Sequence, residues 1–312
     1  MAGAAARRTE RIRAAHPDGA LARAWLETLE HQRRLSPATL GNYAHAIDTL
    51  FGLLGERRLA ALGPAELRRL VARLHGAGLS GRTLALTLSA WRRLFAWLVR
   101  QHGFEANPAQ GLRAPKAPRH LPQALSVEQM QRLLGEGEPR TPAHARDRAM
   151  FELLYSSGLR VGELVALDAA DGRLDLKEGE VTVTGKGRKT RTVPVGAKAR
   201  AALSDWLGVR AQLAAPGERA LFVGARGRRI APGVVQTRLR EWARRRGLEA
   251  PVHPHMLRHS FASHVLQSSQ DLRAVQEMLG HSSISTTQVY THLDFQALAK
   301  VYDAAHPRAR KK

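Results

Sequence analysis

Val181-Thr182-Val183-Thr184, then Gly185-Lys186-Gly187-Arg188-Lys189, then Thr190-Arg191-Thr192-Val193-Pro194-Val195: this stretch decides the fold. Residues 181–184 alternate apolar and hydroxyl-bearing side chains, the period of a strand that buries one face. Two glycines and three basic residues turn the chain, and residues 190–195 return. The pattern predicts an antiparallel hairpin with a basic, glycine-bearing tip. A short apolar run at Ala220–Val223 is predicted to pair nearby. No βαβ alternation and no internal repeat accompany the hairpin, which argues against a Rossmann-type sheet. The predicted fold class is therefore mainly α with a small antiparallel β-sheet.

Around the hairpin, apolar positions recur at helical spacing. Helices are predicted over about 127–135, 143–156, 161–167, 197–213, 233–246, 255–268 and 272–279. Ser126 and Gln129 have the spacing of a capping box. Gly158, Gly247 and Gly280 stand where glycine ends a helix in the left-handed conformation.

Toward the N-terminus the sequence predicts four amphipathic helices. Their inward stripes are Leu21, Trp25 and Leu29; then Leu40, Tyr43, Ile47, Leu50, Phe51 and Leu54; then Leu67, Leu70, Val71 and Leu74; then Leu84, Leu88, Trp91, Phe95 and Leu98. Ser36-Pro37 opens the second helix, Pro64 the third, and Ser80 caps the fourth. Arg68, Arg69, Arg92 and Arg93 lie between the stripes and read either as a solvated face or as phosphate contacts. From Glu105 to Gln123 the chain holds Pro108, Pro115, Pro118 and Pro122 without either period, so it is predicted extended and exposed. The expected organisation is a helical domain over 15–104, a linker over 105–123, a second domain over 124–307, and basic tails at 1–14 and 308–312.

The chain of 312 residues carries 49 Lys plus Arg against 27 Asp plus Glu, a net charge of +22. Like charges repel in a compact state, and such an imbalance points to a polyanionic partner, here nucleic acid. Phosphate binding of this kind weakens steeply with salt as counterions are released. Cysteine is absent, which excludes disulfides and thiolate metal sites and fits a reducing compartment. No apolar run approaches the roughly 20 residues of a membrane span, and charged residues interrupt the N-terminus where a signal peptide would need an apolar core. A cytoplasmic protein with no membrane association is expected.

Four patches of the second domain combine cationic and hydroxyl chemistry: Ser157-Gly158-Leu159-Arg160-Val161-Gly162-Glu163-Leu164; Gly185-Lys186-Gly187; His255-Met256-Leu257-Arg258-His259; and Leu279-Gly280-His281 with Tyr290 beyond it. Transesterification at a phosphodiester accumulates negative charge on the non-bridging oxygens. The N–H fork of arginine matches two such oxygens and stays charged. A tyrosine hydroxyl forms a stable but reversible ester. A lysine among other cations is acidified toward protonating the leaving oxygen, and histidine can accept the tyrosine proton. His255 and His259 have two-histidine metal spacing, but Met256 stands where a zinc protease has Glu and Arg258 would repel a cation. No metal and no other cofactor is expected.

The order Arg160, Lys186, His255-x-x-Arg258, His281, Tyr290 resembles the catalytic set of the tyrosine recombinases, the phage integrase family. Gly185 to Arg191 resembles the family's lysine-bearing turn, Leu257 to Ala262 its second-arginine helix, and Leu279-Gly280-His281 with Ser285-Thr286-Thr287 and Tyr290-Thr291-His292 its histidine-to-tyrosine stretch. The tail through Val301-Tyr302-Asp303-Ala304-Ala305-His306-Pro307 is similar to the bacterial chromosome-dimer resolvases within it. The resemblance implies an N-terminal helical core-binding (SAM-like) domain and a C-terminal α+β tyrosine-recombinase catalytic domain. It implies Tyr290 as nucleophile, Arg160 and Arg258 as phosphate clamps aided by His281, Lys186 as proton donor to the leaving 5′-oxygen, His255 as proton acceptor, and Glu163 as an orienting group. It further implies, as partners, a double-stranded recombination site, a XerD-like recombinase in a heterotetramer, and a septum-associated DNA translocase. The segment carrying Phe295, Leu298, Val301 and Tyr302 reads either as docking on a neighbouring subunit, the favoured reading, or as folding back on its own domain. Two other readings stay open at the level of sequence: a mobile-element integrase with the same chemistry, and a DNA-binding protein without catalysis.

Overall fold

Ser80 accepts a hydrogen bond from the Thr83 amide (3.2 Å), and Gly103 at φ 69° ends the helix it opens, Gly81–His102. Such local signals delimit most of the elements of this computed structural model, which describes residues 15–31, 35, 37–115, 124–135, 141–185, 189–280, 301–302 and 304–309. The chain divides into two compact units, Met1–Arg119 and His120–Lys312.

In the N-terminal unit the helices are α1 (Gly19–His31), α2 (Pro37–Leu54), α3 (Pro64–Gly76) and α4 (Gly81–His102), with a short 3-10 turn at Leu59–Ala61. Their apolar stripes converge on Trp25, Ile47, Leu50, Phe51, Leu67, Leu88, Trp91 and Phe95, all buried. Trp91 combines a large buried area with a satisfied polar edge, its Nε1–H donating to the Ala46 carbonyl at 2.8 Å. Ser36 lies outside the described residues.

The start of the expected linker is folded onto this unit. Asn107 Nδ2 donates to the Arg92 carbonyl (2.9 Å), and the Arg92 guanidinium donates to the carbonyls of Ala109 (3.3 Å) and Leu112 (2.8 Å). Pro108, Ala109 and Leu112 are buried. Residues 107–112 are thus not a free extended tether, because the Arg92 guanidinium holds two of their carbonyls and Ala109 and Leu112 sit in the core of the unit. Arg92 is correspondingly a structural residue rather than part of a solvated face, whereas Arg68, Arg69 and Arg93 are exposed.

The C-terminal unit opens with α5 (Val127–Leu133), whose capping box is formed: Ser126 Oγ accepts from Gln129 N (3.2 Å) and Gln129 Oε1 accepts from Ser126 N (2.9 Å). Replacing Ser126 with alanine is expected to cost about 1 kcal/mol in urea unfolding, with no change in DNA affinity. α6 (Pro142–Ser156) is the central helix, buried along most of its length, and packs against α8 (Ala197–Val209) and α10 (Pro254–Ser269). The remaining helices are α7 (Val161–Ala166), α9 (Pro232–Arg245) and α11 (Leu272–Leu279). The 197–213 helix of the sequence prediction changes at Arg210 into a 3-10 turn.

Strands β1 (Leu174–Asp175), β2 (Glu180–Thr184) and β3 (Thr190–Pro194) form one antiparallel sheet in that order. Val181 pairs with Val193 and Val183 with Arg191, so these four inward positions share one buried face. The run at Ala220–Val223 is fully buried but stands apart from this sheet. It makes isolated bridges from Ala220 to Asp168 and from Val223 to Arg229.

The C-terminal end packs on its own unit. The Tyr302 hydroxyl and Ser156 Oγ share a hydrogen bond of 2.6 Å, and Ala197 N donates to the Ala309 carbonyl at 2.9 Å. At Tyr302, buried beside Phe261 and His306, the chain therefore follows the folded-back alternative and not the favoured docking on a neighbour. Phe295 and Leu298 lie outside the described residues. Arg308 is likewise no tail residue: it is buried in an ion pair with Glu152.

Candidate active site

Two of the expected site residues meet at the turn between α6 and α7. Gly158 ends α6 at φ 58°, and a Cβ there would lie 2.5 Å from a Phe261 ring carbon, so only glycine fits. Arg160 follows as the N-cap of α7. Its backbone N–H donates to Glu163 Oε2 (2.8 Å) and its guanidinium to Glu163 Oε1 (2.9 Å). Arg258, in the second turn of α10, is buried and clasps the same turn. It donates to the Gly158 carbonyl (2.5 Å) and to the Leu279 carbonyl at the end of α11 (2.6 Å).

A third arginine completes the cluster, and sequence reasoning passed over it as a site residue. Arg191 on β3 donates through both terminal nitrogens to Glu163 (2.7 and 2.8 Å) and through Nε to the Met278 carbonyl (2.9 Å). Its signal was present in the alternation of β3. Arg191, Val193 and Val195 share a parity, so an arginine occupies a core-facing slot and needs a carboxylate partner.

Burial alone would raise the Glu163 carboxyl, but the hydrogen bonds from Arg191 and Arg160, together with the Arg191 charge, outweigh it and hold it at about 2. Glu163 is therefore held as an anion, and the guanidiniums of Arg160 and Arg191 share it. Arg258 shows the surplus: burial, then the charges of Arg160 and Arg191, bring its guanidinium down to about 10. An incoming phosphate would relieve that repulsion. The Arg160 side chain remains 40% exposed and open to such a ligand.

His255 lies three residues before Arg258 on α10, on the same helical side. Partial burial, then the charges of Arg258, His253, His259 and Arg160, lower its pKa and favour the neutral, proton-accepting ring. Lys186, His281 and Tyr290 lie outside the described residues. The glycines before the first two are described, and both abut the cluster. A Cβ on Gly185 would stand 3.3 Å from Glu163 Oε1, and one on Gly280 3.0 Å from Arg191 Cδ. Among the described residues no three histidine or carboxylate side chains converge as a metal site would, and no helix is long and apolar enough to cross a membrane.

Comparison with known proteins gives a consistent picture. Residues 123–297 match the model of the phage integrase family, and residues 22–102 that of the phage integrase N-terminal SAM-like domain. The chain is 53% identical over 309 residues to tyrosine recombinase XerC 1 of Ralstonia nicotianae, covering 93% of this chain and 94% of that one. It is 50% identical over 290 residues to tyrosine recombinase XerC of Salmonella typhi, covering 92% and 95%. Among solved structures, the XerH site-specific recombinase bound to its difH substrate before cleavage matches with a TM-score of 0.62 and 26% identity, over 87% of this chain and 80% of that one. A λ integrase dimer on a core site matches at a TM-score of 0.66 and 17% identity, over 87% of this chain and 98% of that one, a likeness of fold.

Proposed function

The chain belongs to the phage integrase family of tyrosine recombinases, and from that premise we propose that Tyr290 is the nucleophile with which it cuts and rejoins DNA. One observation carries the reading: Arg160 and Arg258, far apart in sequence, are brought to one turn with positive charge in excess over the single carboxylate Glu163.

The Tyr290 oxygen attacks the scissile phosphorus, and its proton passes to His255. The bond from phosphorus to the 5′-oxygen breaks, and Lys186 protonates the leaving oxygen. The products are a 3′-phosphotyrosyl ester and a free 5′-hydroxyl. Arg160, Arg258 and His281 neutralise the non-bridging oxygens as charge builds on them. The ester conserves the energy of the broken bond, so attack by another strand's 5′-hydroxyl reverses the step without ATP. Fixed cations fill the role of charge stabilisation, so the scheme calls on no metal.

The biological setting we infer is that of the XerC-named relatives, which match nearly the whole chain. The protein would act in the cytoplasm on a double-stranded recombination site, in a heterotetramer with a XerD-like recombinase. It would resolve chromosome dimers for segregation at cell division, with a septum-associated DNA translocase as a further partner.

A nicked suicide substrate tests the chemistry, its site located by footprinting the protein on the terminus region of its own chromosome. The parent protein is expected to form a covalent adduct that resists denaturant, and Tyr290→Phe none. No adduct with the parent, or equal adduct with both, would overturn the assignment.

A further inference from the structure

We propose that Arg191 is a positioning residue for strand cleavage, the side chain through which the sheet sets the geometry of Arg160 and of the chain leading into His281. The inference rests on the catalytic reading above and goes beyond its set of reacting groups.

Three contacts support it. The guanidinium of Arg191 grips both oxygens of Glu163, whose Oε1 also holds the Arg160 guanidinium and whose Oε2 also holds its backbone N–H. Arg191 Nε holds the Met278 carbonyl in the last turn of α11, while Arg258 holds the next carbonyl, that of Leu279. The flank of the Arg191 side chain lies against Gly280, where φ 62° and a Cβ distance of 3.0 Å to Arg191 Cδ both select glycine. A single planar fork thus ties β3 to the Arg160 turn and to the end of α11. Gly185, on the other side of the hairpin tip, packs against the same group at 3.6 Å from the Arg191 guanidinium by the same measure.

Residue chemistry explains why arginine is needed. Lysine would preserve the charge but cannot make two parallel bonds to a carboxylate and a third to a carbonyl from one rigid plane. Without the fork, Glu163 pivots, Arg160 follows it, and the phosphate clamp opens. Arg191 itself is buried to 8% exposure and engaged on Glu163 and Met278, so it acts through its neighbours.

Arg191→Lys in the full-length protein, on the same suicide substrate, tests this. Single-turnover adduct formation at saturating protein is expected to fall about 100-fold, the order of loss that a misplacement of roughly 1 Å produces. Affinity for the duplex should change little, and the variant should still unfold cooperatively, at a melting temperature lowered by the hydrogen bonds that lysine cannot make. A coupling cycle adds a second readout. Arg191→Met leaves Glu163 short of a partner, Glu163→Gln alone removes that charge, and the double variant does both. If Arg191 acts through Glu163, the double variant cleaves no worse than Arg191→Met alone.

Cleavage by Arg191→Lys at the parent's rate would overturn the proposal. So would losses that multiply in the cycle, or a fall in cleavage matched by an equal fall in DNA affinity. Failure of both Arg191 single variants to fold would assign Arg191 to stability and overturn it too. Throughout, the parent's adduct serves as control: its absence sinks the catalytic reading, while its presence with an unaffected Arg191→Lys sinks only this one.

Discussion

Replacing Arg308 with methionine is expected to lower the unfolding free energy of the C-terminal unit by about 3–5 kcal/mol at neutral pH, the cost of stranding a buried charge. Arg308 Nε donates to Glu152 Oε2 at 2.9 Å, a terminal nitrogen donates to Oε1, and Glu152 has no exposed surface. Burial pushes the Glu152 carboxyl up, and the Arg308 charge and hydrogen bonds pull it back. Without Arg308 the carboxyl rises further and keeps its proton in the folded state. The unfolded chain releases that proton near the ordinary glutamate value of about 4.3. Above that pH the folded variant binds more protons than the unfolded chain, so its stability falls as pH rises. The deficit against the parent should therefore be largest near neutrality and shrink toward about pH 4. Urea unfolding at both pH values measures it. Adding Glu152→Gln should recover most of the loss. A deficit independent of pH, and not relieved by that second change, would contradict the assignment.

Arg258→Lys is expected to reduce single-turnover cleavage by about 10²–10³-fold, the loss typical of one transition-state donor. Two N–H groups of the Arg258 guanidinium are committed to the Gly158 and Leu279 carbonyls, at 2.5 and 2.6 Å. These bonds fix the plane in which its other donors are presented. A lysine ammonium can reach neither the same spacing nor two phosphate oxygens at once. DNA affinity, spread over many phosphates, should fall only a few-fold. Equal losses in affinity and rate would make Arg258 a binding residue alone. Cleavage close to the parent's would remove it from the chemistry.

Much of this architecture could be read from the chain because the local signals agreed with one another. The hairpin was legible from the alternation of Val181 and Val183, and its register then puts Val181 against Val193. Helix ends were legible at Ser80, Ser126 and Gly158, where a hydroxyl or a left-handed glycine supplies what a helix terminus lacks. Arg160 and Arg258 were found by resemblance, and the structure joins them at the Gly158 turn. What escaped depends on distant partners. The prolines of 105–115 read as an extended linker because nothing local reveals that Arg92 will hold the carbonyls of Ala109 and Leu112. The sequence left Tyr302 between a neighbour and its own domain because its partner, Ser156, lies on a helix distant in sequence. Arg191 was hidden in plain alternation, since one charged residue in a basic hairpin attracts no notice until its carboxylate is located.

The clasp between Arg92 and residues 107–112 bears on how the molecule can be dissected. The SAM-like family match stops at residue 102, yet Ala109 and Leu112 are buried in the hydrophobic core of that unit. A fragment ended at the family boundary would lose both plugs and the two carbonyls that the Arg92 guanidinium holds. Cutting after Pro115 instead keeps the lid with its vessel, so the natural excision point for this half lies 13 residues downstream of the similarity boundary (115 − 102).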